Sequence, residues 1–144
     1  MQKQQNFRMT RQRSIILEEL RNVSTHPSAD AIYEMVRRRL PRISLGTVYR
    51  NLEILCELKE IQKIETGGTL KRFDGNPETH YHIRCVGCDR VVDSPVAPLI
   101  NSKKAIHSAT DYKIVGHRFE FLGVCPICSK TAIAPGLKNA LPLK

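Results

Sequence analysis

The chain has 144 residues, 41% of them hydrophobic, and 23 Lys+Arg against 14 Asp+Glu give a net charge of +9. That length supports one ordinary domain or two small ones, the smaller in need of a metal. No run approaches the roughly 18 apolar residues of a membrane span, and so basic a balance favours a polyanionic partner, although composition alone does not separate nucleic acid from a merely soluble surface.

In chain order, the polar, basic start from Met1 to Arg13 has no apolar secretory segment, so a reducing cytoplasm is the expected compartment. Thr10 can cap a helix with Ile16, Leu17, Leu20 and Val23 at helical spacing, and Ser28 can cap a second with Ile32, Met35, Val36 and Leu40 inward, ended by Pro41. Ser44 can cap a third helix in which Leu45, Val48, Leu52 and Leu55 recur at three and four residues, leaving Thr47, Arg50 and Asn51 on another face. Ile61 to Glu65 and Leu70 to Asp74 flank Gly67-Gly68 as a hairpin. Three helices followed by a two-stranded wing predict a winged helix-turn-helix over residues 1–76, its third helix placed for the DNA major groove.

Charge agrees with that placement. Arg37, Arg38, Arg39, Arg42 and Arg50 fall in a stretch without an acidic residue, suited to phosphates, although an arginine run also fits an ordinary solvated helix end. Arg50 could read a guanine, and Thr47 or Tyr49 a thymine methyl. Arg11, Arg13, Ser44, Thr47, Tyr49, Arg50 and Asn51 form the candidate DNA-contacting set.

Residues 77–131 read as a second, α/β domain, giving an α+β chain, with a mobile tail over 132–144. His80 to Ile83 alternates like a strand and puts His80 and His82 on one face. Arg90 to Asp93 reads as a second strand, Leu99 to Ser108 as a helix and Tyr112 to Val124 as a longer strand.

Two Cys-x-x-Cys pairs, Cys85/Cys88 and Cys125/Cys128, have the spacing of two zinc knuckles that together close an all-thiolate structural site. The 36 residues between them imply a small domain folded between the knuckles. Disulfides suit a secreted chain, and a thioredoxin-like redox pair needs no second Cys-x-x-Cys; both stand as alternatives. Metallation would lower the charge of residues 78–144 from net +4 to about +2, while residues 1–77 keep net +5. Cys56 lies in the apolar rhythm of the third helix and reads as a buried small hydrophobe. His80, His82, Asp74 and Asp93 are harder donors than a thiolate site requires, and two imidazoles with a carboxylate suit Fe²⁺, Mn²⁺ or Zn²⁺.

Nearly the whole chain, from about Arg8 to Ser129, resembles the ferric uptake regulator family of metal-dependent repressors. The resemblance is carried by His26-Pro27-Ser28-Ala29-Asp30 with Ile32-Tyr33, by Ser44-Leu45-Gly46-Thr47-Val48-Tyr49-Arg50-Asn51-Leu52, by Arg72-Phe73-Asp74, by His80-Tyr81-His82 and by the two Cys pairs. It implies a homodimer without enzymatic activity, an N-terminal winged helix on a double-stranded palindromic operator, and a zinc-stapled α/β dimerisation domain. It also implies a regulatory Fe²⁺ or Mn²⁺ held by His26, Asp74, His80, His82 and Asp93.

Aspartate at position 93 resembles the peroxide-responsive branch, in which bound Fe²⁺ reacts with hydrogen peroxide and a histidine ligand, here His26 or His80, is oxidised. Iron-responsive members usually carry glutamate there. Tyr81 between the histidines and the acid-free stretch Ser94 to Thr110 depart from an accessory metal site, so His117 is assigned no metal. The same scaffold answering to iron, zinc or manganese availability is the second expectation. A zinc- or thiol-dependent enzyme is the third; zinc would saturate the four cysteines, and no nucleophile and base stand out.

Overall fold

The computed structural model describes residues 7–65, 70–97, 106, 108–117 and 119–131. The chain is α+β and divides between Glu78 and Thr79 into two compact units.

The first unit begins with three helices, each entered through the cap that its sequence offers. Thr10, Ser28 and Ser44 accept from the backbone N–H of Arg13, Ala31 and Thr47 at 3.2, 3.3 and 3.1 Å, starting α1 (Arg11–Arg21), α2 (Ala29–Val36) and α3 (Leu45–Glu57). Ile16 and Leu20 of α1, Ile32 and Val36 of α2, and Val48, Leu52 and Leu55 of α3 are almost fully buried in one core, with Phe73 closing it. α2 is shorter than its apolar rhythm predicts. It ends at Val36, and Arg37 to Arg39 form turns in which the Arg39 N–H reaches back only to the Val36 carbonyl at 3.0 Å.

Strands β1 (Gln62–Ile64) and β2 (Arg72–Asp74) pair antiparallel, with Lys63 opposite Phe73. The Gly67-Gly68 turn expected between them lies outside the described residues.

The second unit is built on β3 (His82–Cys85), which pairs antiparallel with β4 (Val91–Asp93) and parallel with β5 (Glu120–Gly123), in the order β4-β3-β5. A parallel pair needs a long connection, and residues 86–119 separate β3 from β5 in sequence. The strand expected over Tyr112 to Val124 is only β5. Tyr112 and Val115 are 79% and 85% exposed, so alternation there faces no partner sheet. His80 precedes β3 rather than lying in it. A short helix, α4 (Pro126–Lys130), follows β5, and the helix expected over Leu99 to Ser108 lies largely outside the described residues, as does the tail from 132 to 144.

Candidate metal centres and nucleic-acid surface

The four cysteines converge within the second unit. Cys85 ends β3, Cys88 closes the turn that leads into β4, Cys125 caps α4 and Cys128 lies within it. Their sulfurs all lie within 4.8 Å of one another, and Cys88 Sγ to Cys125 Sγ is 3.8 Å. Four sulfurs at about 2.3 Å from a tetrahedral zinc would stand about 3.8 Å apart, whereas a disulfide requires about 2.05 Å. No disulfide joins any of the five cysteines.

The electrostatics favour a cation. Burial alone would raise the Cys85 thiol, but backbone N–H groups of Cys125, Cys88 and Gly87 donate to its sulfur and bring it down to about 6. The Cys128 N–H likewise lowers Cys125. Cys128 moves the other way, pushed up to about 12 chiefly by the adjacent Cys125 sulfur, with burial adding to the rise. The protein thus organises part of the cluster as thiolate, while a further negative charge there is strongly opposed until a cation enters.

Arg84, which no sequence motif singles out, helps to bring the knuckles together. Its guanidinium donates to Glu120 of β5 at 2.9 Å and to Asp89 of the first knuckle turn at 3.0 Å. The charges at positions 84, 89 and 120 are visible in the sequence, but their meeting depends on the parallel β3–β5 pairing. Cys56 is apart from this chemistry. It is half-buried in α3, and burial pushes its thiol up to about 11, which disfavours a reactive thiolate.

The harder donors occur as one group in each unit. In the first, His26 is buried and its Nε2 lies 3.1 Å from Asp74 Oδ2, while Asp74 Oδ1 accepts from the Asn76 N–H at 2.9 Å. His26 has φ 50°, a conformation costing a non-glycine residue about 1 to 3 kcal/mol. Two bonds to β2 hold the segment: Arg72 donates to the His26 carbonyl at 3.1 Å, and the Phe73 N–H donates to the Pro27 carbonyl at 3.0 Å.

In the second unit, His82 stands opposite Asp93 in the β3–β4 register. Asp93 Oδ1 lies 2.9 Å from His80 Nε2 and 3.4 Å from His82 Nε2, with the two imidazole centroids 4.5 Å apart. Two imidazoles converging on one carboxylate oxygen form a donor set suited to a first-row divalent metal. His117 is exposed and lies 3.4 Å from the Tyr81 hydroxyl, beside an aromatic cluster of Tyr81, Phe119 and Phe121.

The residues expected at DNA separate into two groups. Arg11, Ser44, Tyr49 and Arg50 are exposed and Thr47 is half-buried, its hydroxyl 2.8 Å from that of Ser44. Arg13 and Asn51 are instead 7% and 6% exposed and bonded to each other, Arg13 Nε donating to Asn51 Oδ1 at 3.2 Å. Their placement corrects the expected outward orientation: Asn51 lies three residues after Val48 and four before Leu55, on the buried side of α3, whereas Leu45 is 37% exposed. The arginine run is partly neutralised. Arg37 pairs with Glu34 and Arg39 with Glu18 and Glu19, leaving Arg38, Arg42 and Arg50 without ion pairs among the described residues.

With this fold and these two kinds of donor set, the chain belongs to the ferric uptake regulator family, whose profile matches residues 4–122, a family of transcriptional regulators rather than enzymes. The peroxide-responsive repressor PerR of Staphylococcus aureus is 36% identical over 126 residues, covering 88% of this chain and 85% of that protein. Among solved structures, the ferric uptake regulator of Helicobacter pylori, described as having three functional metal-binding sites, has a TM-score of 0.71 at 23% identity and covers 85% of this chain and 83% of its own. The Campylobacter jejuni peroxide stress regulator has a TM-score of 0.67 at 24% identity, with 79% and 85% covered. These two structural likenesses concern the fold. No helix among the described residues is long and apolar enough to cross a membrane.

Proposed function

We propose that the chain is a cytoplasmic, homodimeric repressor that binds a palindromic operator and releases it on exposure to hydrogen peroxide. Residues 1–76 act as a winged helix-turn-helix, with α3 in the major groove and the β1–β2 pair as the wing. Residues 77–131 form the dimerisation domain, stapled by Zn²⁺ on Cys85, Cys88, Cys125 and Cys128.

The regulatory Fe²⁺ or Mn²⁺ takes its ligands from both halves: His26 and Asp74 from one, His80, His82 and Asp93 from the other. A metal shared in this way favours the arrangement in which both recognition helices meet their half-sites. Allosteric couplings of about 1 to 3 kcal/mol change affinity roughly 5- to 150-fold.

The observation that carries the regulatory site is the convergence of His80 and His82 on Asp93 Oδ1, with the buried His26–Asp74 pair supplying the same donor chemistry in the first unit. Fe²⁺ bound there would promote cleavage of the peroxide O–O bond, with peroxide as the two-electron oxidant of an imidazole ligand: one peroxide oxygen goes to the ring and the other leaves as water. His26 or His80 would gain one oxygen atom and lose its ability to ligate, while the zinc remains. Aspartate at position 93 and the 36% identity to a peroxide-responsive repressor favour peroxide over metal availability as the signal.

Operator binding by the zinc-loaded dimer, measured anaerobically with Fe²⁺ and then Mn²⁺ before and after a small dose of hydrogen peroxide, tests the reading. Loss of binding with Fe²⁺ alone, with a one-oxygen mass gain on the peptide containing His26 or His80, is the expected result. Unaltered binding with unmodified histidines would instead make the chain a regulator of metal availability.

A further inference from the structure

Arg13 and Asn51, the two buried members of the set expected at DNA, occupy the middle of a polar chain that runs from the N-terminal arm to the recognition helix. Arg13 donates from Nη1 to the carbonyl of Arg8, and its guanidinium carbon stands 6.0 Å from the Phe7 ring centroid. From Nε it donates to Asn51 Oδ1 at 3.2 Å, and Asn51 Nδ2 donates to the Thr47 carbonyl one turn earlier in α3 at 2.9 Å. Thr47 is in turn joined to Ser44, the cap of α3, through its hydroxyl at 2.8 Å and its N–H at 3.1 Å. The backbone of Phe7 to Thr10, the start of α1 and the first turn of α3 are thus tied through one buried guanidinium.

Nothing in hydrophobic packing demands a cation there. A buried charge is retained at a cost in desolvation unless it is fully bonded, and its best-attested benefit is to fix one arrangement among several. Arginine's rigid fork can hold an arm carbonyl and a helix side chain at once, which a lysine ammonium on a flexible stem does poorly.

We infer that Arg13 and Asn51 are positioning residues for operator recognition: they set the N-terminal arm and the first turn of α3 in one fixed relation, and neither contacts DNA itself. The inference rests on the proposal that α3 reads the operator. Base readout needs side chains held within about 0.5 Å, so loosening this latch should reduce discrimination while leaving the phosphate contacts, and hence the salt dependence, in place.

The test uses the full-length, zinc-loaded dimer with Mn²⁺, which avoids oxidation, and compares operator with random duplex by fluorescence anisotropy over a salt series. Arg13→Lys, Arg13→Gln, Asn51→Ala, the Arg13→Lys/Asn51→Ala double variant and Phe7→Ala are compared with wild type, and thermal melts establish that each is folded. The operator preference of Arg13→Lys, Arg13→Gln and Asn51→Ala is expected to fall about tenfold, the size of one charge-assisted hydrogen bond, with a salt slope unchanged even in Arg13→Gln. The double variant should lose little more than either single one. Phe7→Ala, which leaves the buried bonds intact and keeps the protein folded should the others not fold, is expected to show a smaller loss of preference.

In Arg13→Gln, the one variant that removes the charge, a salt slope reduced by about one with equal losses on operator and random DNA would overturn the inference by making Arg13 a direct phosphate contact. So would an unchanged preference in the folded variants. A wild-type protein without operator preference would count against the proposed DNA-binding function itself, a result distinct from either of these.

Discussion

Cys85→Ser is the sharpest test of what holds the second unit together. Among the described residues of the first unit, fourteen apolar ones are buried. Among the described residues of the second there are Tyr81, Cys85, Val91 and Cys128, and two of these four are proposed zinc ligands. Burying Tyr81 and Val91 contributes about 3 to 6 kcal/mol together, at about 1.5 to 3 kcal/mol for each side chain. Structural zinc contributes apparent binding free energies of about 10 to 16 kcal/mol in small zinc peptides. If zinc occupies the cluster as proposed, it would contribute more than the apolar packing of the described residues does, and serine at position 85 removes a thiolate from it. The variant is expected to purify without its full complement of zinc. Amides of His82 to Cys85, Val91 to Asp93 and Glu120 to Gly123 should exchange rapidly, while those in the cores of α1 and α3 stay protected. Hydrogen exchange followed by mass spectrometry, with zinc content measured on the same sample, reads both quantities. Zinc-free Cys85→Ser protein whose three strands remain as protected as wild type would refute the reasoning.

Three other outcomes are expected. Arg50→Ala should weaken operator binding more than binding to random DNA, by about 1 to 3 kcal/mol at one base pair, in an anisotropy titration with point-substituted operators; equal losses would make Arg50 a phosphate contact. Asp93→Glu should retain metal-dependent DNA binding and lose peroxide sensitivity, read as the peroxide dose that releases half of the Fe²⁺-loaded complex; an unchanged dose would remove position 93 from the sensing chemistry. Zinc uptake should release the Cys128 proton, because that thiol is raised to about 12 whereas Cys85, lowered to about 6, is ionised at pH 7. Protons compete with the metal, so apparent zinc affinity should rise with pH by about tenfold per unit for each proton released, as competition titrations between pH 6.5 and 8 would measure; a pH-independent affinity would contradict it.

The elements that local chemistry determines were legible in the sequence. Three serine or threonine caps, the apolar rhythm of α1 and α3, and the strands on either side of Gly67-Gly68 each depend on residues within a turn or two of one another. The cysteine pairs were legible for the same reason, since the spacing of each knuckle is itself a chain property. Residues whose role depends on a distant neighbour were not. Asn51 reads as an outward polar residue until Arg13, 38 positions away, proves to be its partner. Arg84 reads as a surface charge until the parallel pairing of β3 with β5 brings Glu120 to it. The overlong strand before Val124 failed for a related reason: alternation over Tyr112 to Val115 marks a strand only when a sheet is there to receive it.

The two donor sets also differ in a way that bears on regulation. The four sulfurs come from the turn after β3 and the start of α4, both in one unit, and their soft thiolate field suits an ion that coordinates tetrahedrally and has no redox chemistry of its own. His26, Asp74, His80, His82 and Asp93 offer nitrogen and oxygen, which bind Mn²⁺ and Fe²⁺ at the weak end of the divalent series and let them exchange. A sensor needs that weakness. A regulatory ion held as firmly as the structural one would report neither its own availability nor the loss of one imidazole, whereas a site of moderate affinity can be emptied by oxidation of a single ligand. If the proposed function holds, assigning thiolates to the fold and imidazoles to the signal would let one small chain keep its zinc staple while it releases its regulatory metal. Exchanging His82 for cysteine would test that division: thiolate should shift the regulatory site toward Zn²⁺, and DNA binding should then resist both chelation and peroxide.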